Sequence, residues 1–63
     1  MIKVTRLNGK EFILNAELIR TIEEMPDTTI TLSGGEKYIV KESAKVIVKK
    51  AVDYGRMIRT FTS

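Results

Sequence analysis

Residues 2–14, with the sequence IKVTRLNGKEFIL, decide the fold because they hold a turn signal between two short apolar runs. The signal is the pair Asn8-Gly9, which supplies the positive φ that tight hairpins need. A two-residue loop would scatter the apolar side chains over both faces of the hairpin. A three-residue loop puts four apolar residues on one face, with Val4 opposite Phe12 and Ile2 opposite Leu14. Because a shift of one residue turns every side chain to the other face, the pattern predicts the three-residue loop.

Residues 28–41 repeat this arrangement around Gly34-Gly35. A three-residue loop over residues 33–35 pairs Leu32 with Glu36 and Ile30 with Tyr38. The side chains that then share one face are Ile30, Leu32, Tyr38 and Val40. The threonines of this segment suit strands because they are β-branched.

Residues 15–26 allow two interpretations. Leu18, Ile19, Ile22 and Met25 fall at helical spacing, and Asn15 could cap a helix. The alternative is a single helical turn over residues 16–18 followed by a strand over residues 19–24. Short connections are usual between sheet elements, which favours the strand. Pro26-Asp27 then forms a turn into the next strand.

The period changes to that of a helix after Ser43, a suitable N-cap residue. The apolar positions at helical intervals are Ile47, Ala51, Tyr54 and Ile58, and the pattern predicts that Val48 and Val52 widen this stripe. Gly55 costs roughly 1 kcal/mol inside a helix relative to alanine. We therefore expect it to end the helix and to leave a tail from about residue 56.

The predicted fold class is α+β, a small antiparallel sheet of about five strands with one C-terminal amphipathic helix. Residues 1–63 are expected to form a single domain, in which the helix covers the apolar face of the sheet. Three apolar residues fall on the opposite face: Leu7, Ile13 and Ile39. Because such a sheet needs a second cover, the pattern predicts a homo-oligomer.

The composition excludes several kinds of site. The chain has no cysteine and no histidine, so it lacks the commonest general base, the best nucleophile and the usual ligands of zinc. We therefore expect no catalytic residues, no cofactor and no metal site, and a protein that is not an enzyme. No apolar run is long enough to span a bilayer and no signal peptide is evident, so we expect a cytoplasmic protein without a membrane span.

The net charge of +3 is concentrated in the C-terminal third. Residues 1–40 carry five basic and six acidic side chains, whereas residues 41–63 carry six basic and two acidic ones. A basic helix could contact phosphates through Lys45, Lys49, Lys50 and Arg56. A small nucleic-acid-binding module is thus the alternative hypothesis, although few aromatic residues are left for base stacking. On balance nucleic acid is not the expected partner.

Three blocks of sequence resemble the flagellar FlbD family, also called the swarming motility SwrD family. They are residues 5–15 (TRLNGKEFILN), residues 18–32 (LIRTIEEMPDTTITL) and residues 35–43 (GEKYIVKES). The resemblance covers about residues 1–52. It implies a role in flagellar motility, particularly swarming, and support of flagellar motor power through the stator units that generate torque. The family has no associated catalytic residues or cofactor.

The leading hypothesis is therefore a motility protein that acts by protein–protein interaction, with flagellar motor or stator proteins as partners. It would dock a sheet edge or its exposed apolar face onto the partner. The candidate partner-binding residues are Ile13, Arg20, Ile39, Lys45, Lys49, Lys50 and Arg56.

Overall fold

The α+β class is confirmed by the computed structural model, which describes residues 1–62, with side chains described for residues 1–56. Five short strands precede one helix. The strands are β1 (Ile2–Thr5), β2 (Glu11–Leu14), β3 (Ile19–Glu24), β4 (Thr28–Leu32) and β5 (Lys37–Val40). A 3₁₀ turn, Ala16–Leu18, lies between β2 and β3, and the helix α1 spans Ala44–Thr62.

The first hairpin has the predicted three-residue loop. Val4 lies opposite Phe12 and Ile2 opposite Leu14 in the β1–β2 ladder. The Arg6 amide donates to the Lys10 carbonyl at 2.8 Å, which closes the loop over residues 7–9. Gly9 has φ of +91°, the left-handed conformation expected at this position.

The second hairpin is also confirmed in its register. Ile30 lies opposite Tyr38 in the β4–β5 ladder, and the Leu32 amide donates to the Glu36 carbonyl at 2.8 Å. Gly35 takes the left-handed conformation with φ of +94°. The two hairpins are therefore closed by the same kind of turn.

The strand interpretation of residues 19–24 is confirmed, and the helical alternative is wrong. β3 pairs antiparallel with β4, with a register irregularity between Ile19 and Thr21. The Asn15 side chain accepts a hydrogen bond from the Glu17 amide at 3.0 Å, so it caps only the short 3₁₀ turn. Pairing with β4 satisfies alternate backbone groups of this segment, which the helical spacing of its apolar residues could not reveal.

The five strands form two sheets, β1-β2 and β3-β4-β5. One bridge, between Arg6 and Val40, links them, and beside it the Lys41 amide donates to the Thr5 carbonyl at 2.8 Å. The Glu42 carboxylate strengthens this junction, because it accepts from the Thr5 amide at 2.9 Å and from the Thr5 hydroxyl at 2.8 Å.

The core lies between the inner faces of the sheets and α1. Its buried hydrophobic residues are Ile2, Val4, Leu14, Ile30, Leu32, Val40 and Ile47, and none is more than 5% exposed. Six of them come from strands, so Ile47 is the buried core residue that the helix supplies within its described side chains. Burying a side chain of this size contributes about 1.5–3 kcal/mol.

Three polar contacts hold the helix in this position. The Ser43 hydroxyl accepts from the Val46 amide at 3.3 Å, as predicted for an N-cap. The Glu24 carboxylate, at the end of β3, accepts from the Ala44 amide at 2.8 Å. On β1, the Lys3 carbonyl accepts from the Lys50 ammonium group at 2.6 Å.

Two predictions for the helix are wrong. α1 continues through Gly55 to Thr62, so the helix does not end at Gly55 and no tail begins at residue 56. A penalty of about 1 kcal/mol for one glycine is too small to stop a helix that is already formed on both sides of it. Val48 and Val52 are 49% and 44% exposed, because they lie beyond the edge of the buried stripe. The predicted core position of Ile58 lies outside the described side chains.

Replacing Gly9 by alanine is expected to destabilise the protein by about 1–2 kcal/mol, because an L-residue is strained at positive φ. No atom lies within 4 Å of the added Cβ, so this loss comes from the backbone alone. Gly34→Ala is the matched control, since Gly34 does not have positive φ and only the exposed Glu36 side chain must move. Urea unfolding measures the stability of both variants. An equal loss of unfolding free energy in Gly9→Ala and Gly34→Ala would contradict the left-handed conformation assigned to Gly9.

We expect the Glu42 carboxylate to make the free energy of unfolding fall at acidic pH. Burial raises its pKa, but the hydrogen bonds from the Thr5 amide, its own amide and the Thr5 hydroxyl, together with the Lys50 charge, hold the pKa below the ordinary 4.5. A lowered folded-state pKa gives stability that is present above the unfolded value and lost as the pH falls through the folded one. Glu42→Gln should flatten the fall in unfolding free energy below about pH 5.

The control is Glu17→Gln, which removes the same charge at an exposed residue whose carboxylate has no hydrogen bond among the described residues. Unfolding followed by circular dichroism across this pH range makes the comparison. A fall in stability as steep in Glu42→Gln as in the unmodified chain would mean that another group titrates.

Candidate interaction surface

Two isoleucines lie on the outer faces of the sheets, away from the core. Ile13 is 62% exposed and lies opposite Lys3 in the β1–β2 ladder. Ile39 is 47% exposed and lies opposite Thr29 in the β4–β5 ladder. Both positions follow from strand alternation, because their neighbours Leu14 and Val40 are buried. They belong to different sheets, Ile13 to β1-β2 and Ile39 to β3-β4-β5.

Arg20 lies on β3 at the register irregularity, and its side chain is exposed. It makes no side-chain hydrogen bond or ion pair with any described residue. Its guanidinium group is planar and always charged, which suits recognition of a carboxylate. Arg20 is therefore a free cation at the edge of the three-stranded sheet.

The basic residues of the helix are not equivalent. Lys45, Lys49 and Arg56 are exposed, on the side of the helix that faces away from the core. Lys49 forms an ion pair of 2.9 Å with Asp53, one turn further on. Lys50 is half-buried and donates its hydrogen bond to β1, so this lysine anchors the helix. The basic side chains of the helix that are exposed to solvent are therefore Lys45, Lys49 and Arg56.

An arginine that the sequence pattern did not single out covers the aromatic residues. The rings of Phe12 and Tyr38 lie 5.3 Å apart, and the Arg6 guanidinium lies 4.4 Å from the first ring and 5.4 Å from the second. Strand alternation was the available signal, since Arg6 shares its face with Val4. Cation–π contacts of this kind contribute about 0.5–1 kcal/mol at exposed sites. Both rings are therefore engaged in packing.

Exposed valines on the helix were also missed. The hydrogen bond of Lys50 fixes the side of α1 that faces β1. Val48 is two residues away, about 200° around the helix, so it lies on the opposite side of α1. Val52 is one turn further on. Leu18, in the 3₁₀ turn before β3, is also exposed, at 44%.

The groove beside the start of β1 shows no convergent chemistry. A shallow groove of about 340 Å³ lies between the start of β1 and the helix, and its polar residues include Lys50 and Asp53. Both are already engaged in the contacts given above. No group of three or more acidic, histidine or cysteine side chains among the described residues is placed to hold a metal ion. No helix in the described part of the chain could cross a membrane.

These features define a small α+β protein that displays isolated apolar and basic side chains around a thin core. The model of the FlbD family, described as flagellar and swarming motility proteins, matches residues 1–59. The chain belongs to this family, as the resemblance predicted, and the match extends beyond residue 52. Searches of the curated proteins and of the solved structures found no match.

We predict that the protein does not bind nucleic acid at physiological salt. Single-strand binding needs exposed rings for stacking, whereas Phe12, Tyr38 and Tyr54 all pack against the core. A fluorescent oligonucleotide titration should show no binding tighter than about 10⁻⁴ M, the weak limit of non-specific association. Tighter binding that weakens steeply with added salt would instead support the alternative hypothesis of a basic module.

Proposed function

We propose that this FlbD-family protein supports the power of the flagellar motor by binding another protein of the motor, on or near the stator units. The family match carries the association with flagellar and swarming motility. The interaction mechanism is supported by Ile39, an isoleucine that strand β5 holds on the outer face of its sheet at 47% exposure. An apolar side chain in this position gains free energy when a partner covers it.

The rest of the surface supports a binding role over a catalytic one. In the groove beside the start of β1, Lys50 donates to the Lys3 carbonyl and Asp53 pairs with Lys49, so these polar groups hold the fold. We therefore propose a non-enzymatic protein that works in the cytoplasm and forms a homo-oligomer. Ile13, Arg20, Lys45, Lys49 and Arg56 are the further candidate contacts, whereas Lys50 acts through the position of the helix.

The proposal predicts that Ile39→Asp weakens recovery of motor proteins in a pull-down from motile cells. A carboxylate on the outer face leaves the core intact, because Ile39 is not among the buried residues. The free energy of unfolding should therefore change by less than about 0.5 kcal/mol. The same variant should reduce swarming and the torque of single tethered motors.

Lys37→Asp is the matched control, since Lys37 lies two residues before Ile39 on the same strand and face, and is already polar. It should leave partner recovery and torque near the unmodified level. Equal recovery with Ile39→Asp and the unmodified chain would exclude this face as the docking surface. Normal swarming after deletion of the protein would contradict the proposed function itself.

A further inference from the structure

Strand β3 is an edge strand, and the ladder fixes which of its backbone groups face outward. Within the described residues it pairs only with β4. The Leu32 amide donates to Glu36, so Leu32 directs its backbone groups toward β5. By antiparallel alternation Ile30 does the same, whereas Thr29 and Thr31 face β3.

The groups at the open edge follow from the β3–β4 register. Thr21 and Glu23 lie opposite Thr31 and Thr29, so they exchange hydrogen bonds with β4. Ile22 and Glu24 therefore point their N–H and C=O groups away from the sheet. The register irregularity is confined to Ile19–Thr21, so the rest of the strand is regular. Such an edge is a template for another strand.

The sequence of this edge is complementary to itself. A two-fold axis through Ile22, perpendicular to the sheet, pairs Ile22 with the partner's Ile22 through outward-facing backbone groups on both strands. The same axis brings Arg20, which lies at the register irregularity, close to the partner's Glu24 on both sides of the axis. Arg20 has no ion-pair partner among the described residues. Glu24 binds the Ala44 amide through Oε1, which leaves Oε2 available.

The helix also carries exposed apolar side chains: Val48 and Val52 of α1 are 49% and 44% exposed. A two-fold axis perpendicular to the sheet puts both helices on one face of the joined sheets.

We propose that the protein forms a homodimer by antiparallel pairing of β3 with the partner's β3, centred on Ile22, with Arg20 facing the partner's Glu24. The two three-stranded sheets then become one continuous sheet of six strands. This inference rests on the proposed function insofar as that function includes self-association, and it names the surface and register that achieve it.

Charge reversal provides the first test. Arg20→Glu places two glutamates opposite two glutamates, and Glu24→Arg places two arginines opposite two arginines, so each variant alone should be monomeric by light scattering. A mixture of the two restores opposite charges at both positions and should form a heterodimer. Lys37→Glu, the matched control away from the edge, should remain dimeric. An Arg20→Glu chain that stays dimeric would overturn the proposal.

Cross-linking tests the register without altering these charges. The axis through Ile22 pairs Thr21 with the partner's Glu23 at a non-hydrogen-bonded position, where Cα atoms lie about 4.5 Å apart, within reach of a disulfide. The chain has no cysteine, so each introduced thiol is unique. Thr21→Cys mixed with Glu23→Cys should give a cross-linked dimer on mild oxidation.

Thr21→Cys mixed with Thr31→Cys is the control, because Thr31 lies on the inner strand β4 and should not react. A monomer at micromolar concentration, or equal cross-linking in both mixtures, would overturn the dimer proposed here. Neither result would touch the motility function, which deletion of the protein and the pull-down with Ile39→Asp test separately. If the dimer is intact but the swarming role fails its own test, the proposed function is contradicted and the dimer is not.

Discussion

The burial of Ile47 is the interaction on which the rest of the structure depends. The two sheets share one bridge and a few polar contacts, so their inner faces need a common cover. The helix supplies it by placing a fully buried isoleucine among six core residues from the strands. In a chain of 63 residues only about 60% of the unfolded surface becomes buried, so little else can compensate for the loss of this contact.

The charged residues divide into those that build the fold and those that face solvent. Glu42 joins the hairpins at Thr5, Glu24 holds the start of the helix, and Lys50 ties the helix to β1. Each of these groups meets a backbone group, so its position is set by the fold. Arg20 and Lys45 have no such role among the described residues. Such side chains, with the exposed apolar residues of the outer faces, are the ones left to meet a partner, and the proposed dimer adds the second carboxylate oxygen of Glu24.

The candidate site was predictable where alternation alone decides exposure. Ile13 and Ile39 were placed on the outer faces because each hairpin turn allows only one register that gathers the other apolar residues. The helix was harder, since a period of 3.6 leaves residues at the margins of the stripe undecided. Val48 and Val52 were assigned to the apolar stripe for this reason, and Lys50 was counted with the candidate partner-binding residues although its long side chain reaches across to β1.

The sequence by itself determined the two hairpins, their three-residue turns and the start of the helix, because glycine conformation, strand alternation and N-capping act over a few neighbouring residues. Only the tertiary structure decided that the strands divide into two sheets, that residues 19–24 pair as an edge strand, and that Arg6, Glu24, Glu42 and Lys50 make their contacts where they do. These features depend on which distant residues meet. Local spacing does not predict such contacts, since Glu42 and Thr5 are 37 residues apart in sequence and meet where the two hairpins join.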